Sequence, residues 1–296
     1  MQTILTSPDT KPFYGFGLGL RPEYYQHLLA RGLPSEILPD KTQNPDWLEI
    51  ISENYMVDGG KPLYFLDQFK ERYPIAMHGV SMNIGSVDPL DRQYLEQLKT
   101  LANKVNPIWI SDHCCWTGAN AHNAHDLLPL PYNEESINHI AQRITQAQNI
   151  LERPILLENL SSYLSFKDST MTEWEFLSAI CEQANCYLLL DINNIYVSAR
   201  NHDFDPMEYL LGVPKERVLQ HHLAGHEDHG SYIIDTHDAP IVQPVLDLYN
   251  EALQHFGPIS TMIERDDHFP PLEELLSELG QVRAIYNDNQ LTAQQS

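Results

Sequence analysis

The sequence predicts a (β/α)8 barrel of the TIM type, and three observations carry that reading. Short apolar runs alternate with amphipathic stretches at the spacing of βα units, and eight such runs can be found. Nearly every run ends in a carboxylate or an imidazole, where a buried strand would emerge into a loop. The 296 residues hold one barrel of about 250 residues with additions. A single domain is expected over residues 1–286, followed by a frayed polar tail at 287–296.

Each element has a local cause. Gly15–Leu20 begins the series with GFGLG, whose third glycine comes too early for a dinucleotide-binding loop, and no helix follows it directly. A helical pattern at Glu23–Ala30 comes next. The strands Trp47–Ser52, Ile75–His78 and Pro107–Ser111 then alternate with helices at Pro62–Arg72 and Asp91–Val105. Asn133 caps Glu134–Leu151, where Ile137, Ile140, Ile144, Ala147 and Leu151 share one face. After the strand Ile155–Glu158, Thr172 and Glu175 form a capping box at the start of Thr172–Ala184. Tyr187–Ile192, Pro206–Leu211, Val218–Leu223, Val242–His255 and Ser260–Glu264 continue the alternation. Pro270 and Pro271 open the last helix, Leu272–Tyr286, where a missing N–H does no harm. The long loops Ser111–Asn133 and Asn193–Asp205 are placed to form a lid over the barrel mouth.

Composition narrows the function. A formal net charge of -23 with only 18 Lys and Arg argues against nucleic-acid binding, which needs clustered cations. Cys114, Cys115, Cys181 and Cys186 form no disulfide framework and are expected to be reduced. No basic and then apolar leader opens the sequence, and no run reaches the roughly 18 apolar residues of a membrane span. The expected location is the cytoplasm, with no membrane association.

The strand ends carry the chemistry. His78 ends PIAMHG, Asp112 and His113 end IWISDH, Glu158 ends PILLEN, Asp191 ends YLLLDIN, His222 precedes LAGH and Glu264 ends STMIER. The DTH triplet adds Asp235 and His237. One ion takes three or four protein ligands, so nine donors imply two or three metals, with Glu158 able to bridge. Taken singly, Asp112 or Asp191 reads as a helix cap, and His78 as a core histidine. A purely structural barrel has little reason to place such residues at six strand ends. His221 and His222 point to opposite faces, so only one faces the barrel interior. Arg21, Glu53, Asn54, Asn83, Asn159, Asn193 and His226 are candidate orienting or substrate contacts. His268 is equally ambiguous, and His122 and His125 fall in a loop.

These residues lie in SENY (Ser52–Tyr55), HGVSMNIGS (His78–Ser86), SDH (Ser111–His113), LLENLSSY (Leu156–Tyr163), LLLDINNIYVSA (Leu188–Ala199), HLAGH (His222–His226) and DTHDAPI (Asp235–Ile241). With GFGLGLR and MIERDD they make the chain resemble the MbnB-like multinuclear non-haem iron-dependent oxidative enzymes over almost its whole length. The resemblance implies a TIM barrel with two or three iron ions, in a mixed-valent Fe2+/Fe3+ state, at the strand ends. It implies one iron on Glu158, Asp191, His222 and Glu264, and a second on His78, His113 and the shared Glu158. A third, weaker site would use Asp112, Asp235 and His237. Glu158, Asp191 and His222 would stand at the catalytic centre. The implied activity is O2-dependent modification of cysteine in a ribosomally made precursor peptide, with a leader-binding partner protein. A metal pair would bring thiolate and O2 together.

Three other readings fit a metallo-barrel. A xylose isomerase-type sugar isomerase would need fewer histidines and a catalytic His or Lys, and no Lys lies at a strand end. An endonuclease IV-like phosphodiesterase has a similar metal inventory, but the charge of -23 disfavours DNA binding. The third is a non-enzymatic metal-binding barrel serving a partner protein.

Overall fold

The computed structural model describes residues 11–31, 44–120 and 122–293. Eight parallel strands close into a barrel: β1 (Phe16–Gly19), β2 (Trp47–Ile51), β3 (Ile75–Gly79), β4 (Ile110–His113), β7 (Leu156–Glu158), β8 (Tyr187–Asp191), β9 (Val218–Leu223) and β12 (Ser260–Ile263), with β12 pairing back onto β1. The expected (β/α)8 barrel is therefore the fold. Helices α1 (Tyr25–Ala30), α2 (Lys61–Phe69), α3 (Arg92–Val105), α4 (Glu134–Leu151) and α5 (Glu173–Ala184) follow successive strands. Further along come α6 (Ile192–His202), α7 (Pro206–Gly212), α8 (Gln243–Phe256) and α9 (Leu272–Ala293). Thr172 and Glu175 make the reciprocal capping box, and Asn133 caps α4 by accepting from the Ser136 N–H.

Strand alternation divides the side chains into two cores. One set faces the helices; the other, with Trp47, Ala76, Trp109, Leu156, Tyr187, Leu189, Leu219 and Met262, fills the floor of the barrel. The glycines of β1 now have a cause. A Cβ on Gly17 would lie 2.5 Å from the Trp47 ring, and one on Gly19 would lie 3.1 Å from the Arg21 guanidinium. GFGLG is a barrel strand with its interior face pared down to admit two large side chains.

On β9 the pairing slips by one residue: Leu188 pairs with Val218, but Leu189 pairs with Gln220. Leu219 and Gln220 both turn inward, and the alternation restarts so that His222 faces the interior and His221 faces out.

Two expectations need correction. The segment expected as a lid loop at 193–205 is largely α6, because Asp191 caps a helix straight off the strand by accepting from the Asn194 N–H. The loop at 111–133 folds a hairpin, β5 (Trp116–Ala119) with β6 (His122–Leu128), and its Asp126 and Leu127 line the mouth. A two-residue pair, β10 (Glu227–Asp228) with β11 (Ile233–Ile234), precedes the DTH loop. The tail does not begin at Asn287: α9 continues to Ala293, because Asn289 bonds Asn250 on α8 and the Ile285 carbonyl one turn back. All four cysteines are buried and unlinked, and no described helix is long and apolar enough to cross a membrane.

His221 is buried between Tyr249 and Phe256, and burial lowers its pKa to about 3. The unfolded chain therefore takes up a proton near pH 6.5 that the fold refuses, so stability is complete above that pH and lost as pH falls toward 3. His221→Leu is expected to flatten this loss in urea unfolding between pH 7 and 4, by roughly 2–4 kcal/mol across the window. Parallel pH curves for the two proteins would contradict the assignment.

Candidate metal centre

The inward-facing ends of six strands meet at the mouth. His78 is the last residue but one of β3, opposite Ser111, and its Nδ1 lies 2.8 Å from the Ser111 Oγ. His113 pairs with Glu158 across β4 and β7, and its Nδ1 lies 3.2 Å from the Gly79 carbonyl oxygen. A carbonyl only accepts, so His113 Nδ1 carries a hydrogen and Nε2 is the atom left to face the centre. Both Nε2 atoms face Glu158 Oε2, at 3.2 Å from His78 and 3.3 Å from His113. Two imidazoles and a carboxylate are the donor inventory of many non-haem iron sites.

The other Glu158 oxygen, Oε1, lies 3.4 Å from His222 Nδ1, which is 3.0 Å from Glu264 Oε2. Glu158, Asp191, His222 and Glu264 each offer a ligand atom within 4.8 Å of the others, and so do His78, His113 and Glu158. Glu158 thus belongs to both groups.

A third group joins His237, Glu264 and Asp266. His237 sits on a backbone with φ 50°, pinned by its N–H to the Gly225 carbonyl and by its carbonyl to the Asp266 N–H. Gly225 is required there, since a Cβ would lie 2.1 Å from the Ala239 carbonyl oxygen.

Several of these atoms satisfy no hydrogen bond within the protein. Among the described residues, His78 Nε2, Glu158 Oε2, Asp191 Oδ2, His222 Nδ1 and His237 Nε2 are all buried and close no hydrogen bond of good geometry, although carboxylate oxygens lie 2.6–3.2 Å from the three imidazole nitrogens. Each would cost about 1–3 kcal/mol if left so. Five converging on one mouth, from imidazoles and carboxylates, fit first-row transition ions. The electrostatics agree. Burial would raise Glu158, but His113, His78 and His222 hold it down at about 2. Burial pushes Asp191 well above the usual carboxylate range, with His237 opposing. Burial likewise opposes a charge on His222, yet Glu49, Glu264 and Glu158 hold its imidazolium well above its usual pKa. Without metal the carboxylates are balanced by protonated imidazole, a role that bound metal would take over.

Two important residues escaped the sequence reading. Glu49, in the middle of WLEII, is buried, and its Oε1 lies 3.0 Å from His222 Nε2. Its other oxygen accepts from Gln220, whose carbonyl oxygen is fixed by the Trp109 indole N–H. Glu49 therefore aims His222 Nδ1 at the centre, as a carboxylate behind a ligating imidazole does. A glutamate inside an apolar strand was the available signal. Asp266 follows Glu264 by two residues, and its Oδ2 lies 3.2 Å from His237 Nδ1.

Asp112 requires a correction. It adjoins His113 on β4, so it faces the other way and does not join the donors. Its oxygens accept from the Met82 and His113 N–H groups, and it packs where a Cβ on Gly79 would lie 2.5 Å away. Asp235 does reach the mouth, with Oδ1 2.6 Å from His237 Nε2. Asn193 donates to Asp235 and meets His226 Nδ1 at 2.7 Å, so both buttress the third group. Asn159 clamps the Asp191 backbone N–H and carbonyl. Arg21 bonds Asp266. Glu53 accepts from the Val80 N–H and Tyr94, Asn83 ties its loop to β5, and Asn54 is exposed, so these three stand apart from the donors. His122, His125 and His268 are exposed.

Above the donors lies a cavity of about 330 Å³ walled by Leu127, Leu160, Tyr163, Asp126 and Asp235, with no Lys or Arg among its described lining residues. A substrate can therefore reach His78, His113, His237 and Glu264 from the mouth.

Comparison with known proteins adds to this geometry. Residues 15–287 match the family model described as RiPP precursor modification enzyme MbnB/TglH/ChrH. A UPF0276 protein of Caulobacter vibrioides (strain NA1000 / CB15N) is 53% identical over 274 residues, covering 93% of this chain and 95% of that one. One from Rhizorhabdus wittichii is 51% identical, covering 92% and 95%. Among solved structures, an L-ribulose 3-epimerase superposes with TM-score 0.63 at 11% identity, covering 94% and 96%. Endonuclease IV from Thermus thermophilus superposes with TM-score 0.58 at 14% identity, covering 94% and 100%. At those identities the likeness is one of fold.

Glu49→Gln removes the charge behind His222 while keeping its shape. Metal affinity is expected to fall roughly tenfold or more, read by equilibrium competition with a chelator. Unchanged affinity with an unchanged melting curve would refute the orienting role.

Proposed function

We infer that this chain, which belongs to the RiPP precursor modification enzyme family MbnB/TglH/ChrH, uses two or three iron ions and O2 to oxidise cysteine in a ribosomally synthesised precursor peptide. Membership of the family implies a peptide substrate; iron, O2 and cysteine are the finer reading. The observation that carries it is Glu158, one carboxylate shared by two donor groups. His78, His113 and Glu158 would hold one iron, and Glu158, Asp191, His222 and Glu264 the next. His237, Glu264 and Asp266 would hold a third, with Asp235 beside it. Bound there in a mixed-valent Fe2+/Fe3+ state, iron would supply electron transfer to O2 and a Lewis-acidic position for a substrate thiolate.

The chain's own residues do the rest. Glu49, Ser111 and the Gly79 carbonyl fix the imidazoles, which holds their free ring nitrogens toward the carboxylates before any metal binds. Leu127, Leu160, Ile51 and Val80 give the cavity apolar walls that exclude water around a seated cysteine. Asp126, Asp235 and Asp266 make the rim anionic, which favours a neutral or basic peptide segment. The Tyr163 hydroxyl accepts from the Asp235 N–H at 2.9 Å and joins the loop after β7 to the DTH loop at the rim. A separate leader-binding protein belongs to this reading, as does a cytoplasmic setting that keeps the substrate thiol reduced.

Protein reconstituted without air is expected to hold more than one iron per chain. Glu158→Ala should lose metal from both groups, whereas His78→Ala should lose it from one. With a cysteine-containing precursor peptide encoded beside this chain, O2 uptake should accompany a mass change on the cysteine. Zinc alone with no iron uptake, or turnover without O2, would sink the reading.

A further inference from the structure

We propose that Arg21 is a built-in cation that keeps the His237–Glu264–Asp266 group the weakest of the three metal sites, by holding one oxygen of Asp266 and fixing a positive charge beside it. The proposal rests on the metal reading above and adds an order of filling to it. Arg21 follows β1 by two residues, and its guanidinium folds back over Gly19, which has no side chain to obstruct it. Its Nη2 donates to Asp266 Oδ1 at 2.7 Å and its Nε donates to the Arg265 carbonyl at 3.2 Å. The side chain is 9% exposed, so it has little freedom to swing away.

Asp266 is left with one carboxylate oxygen, Oδ2, facing His237 Nδ1 at 3.2 Å. Asp266, Glu264 and Glu49 all act on the Arg21 charge, so the guanidinium already neutralises part of the field that would attract an ion. The other two donor groups are less affected: neither Arg nor Lys bonds His78, His113, Glu158, Asp191 or His222 among the described residues, and the second group feels the Arg21 charge only at a distance, through Glu264, which it shares with the third, and through Glu49 behind His222. The third group is also the one open to solvent, since Asp266 is half-exposed. Two opposing effects must be weighed. Arg21 orients a ligand, a role worth about 10–100-fold in affinity. It also sets a like charge close to a divalent ion in a partly buried site, and on this proposal the repulsion outweighs the orienting gain.

The test is anaerobic titration of metal-free protein with Fe2+, following heat and counting bound iron after gel filtration. The wild type should bind two equivalents tightly and a third at least tenfold more weakly. Arg21→Gln should tighten the third equivalent by roughly tenfold or more and leave the first two within about threefold. Arg21→Met repeats the test should the glutamine variant not fold, and Arg21→Lys, which keeps the charge, should stay near the wild type. An unmoved third equivalent in both neutral variants overturns the proposal while leaving the metal reading intact. A weakened one also overturns it, since Arg21 would then serve only to orient Asp266. No iron uptake by the wild type would overturn the parent reading and this one with it.

Discussion

Glu158 sits at the end of β7 with imidazoles on every side, and its two oxygens face different partners. A carboxylate this deeply buried would ordinarily take a proton; the three histidines keep it ionised. That arrangement sets the requirements for the rest of the mouth. His78 and His113 must aim Nε2 at one Glu158 oxygen and His222 must aim Nδ1 at the other, so each must spend its other ring nitrogen on a fixed partner. Ser111, the Gly79 carbonyl and Glu49 are those partners, and each comes from the barrel wall.

The barrel makes such convergence possible because alternate residues of every strand face inward. Below the donors the interior is packed with two tryptophans and aliphatic side chains, and the layer between is polar but internally bonded through Glu49, Gln220 and Trp109. The bulge on β9 is part of the same geometry. Without the slip at Leu219 and Gln220, the alternation would turn His222 toward the helices and His221 toward the centre.

Much of this was legible in the amino-acid order. The eight strands, the (β/α)8 closure and six of the donors follow from apolar runs ending in His, Asp or Glu, because strand ends are where such barrels place chemistry. What could not be read depended on contacts across strands. Asp112 and His113 are adjacent, and only the register of β4 against β7 decides which one faces inward. Glu49 resembles a lone charged residue in an apolar run until β9 brings His222 opposite it. Asp266 joins His237 through the fold of the DTH loop, which no periodicity encodes. For Asp191 the sequence offers strand-end donor and helix cap as alternatives, whereas the fold places both on one side chain, with Oδ1 capping α6 and Oδ2 left facing the mouth.

The central claim is that one carboxylate joins two metal sites. The most direct measurement is the electron paramagnetic resonance and Mössbauer spectrum of anaerobically iron-loaded protein after partial oxidation. A Glu158 bridge predicts a spin-coupled Fe2+/Fe3+ pair whose coupling disappears in Glu158→Ala. Spectra of magnetically isolated iron ions, the same in wild type and variant, would contradict it.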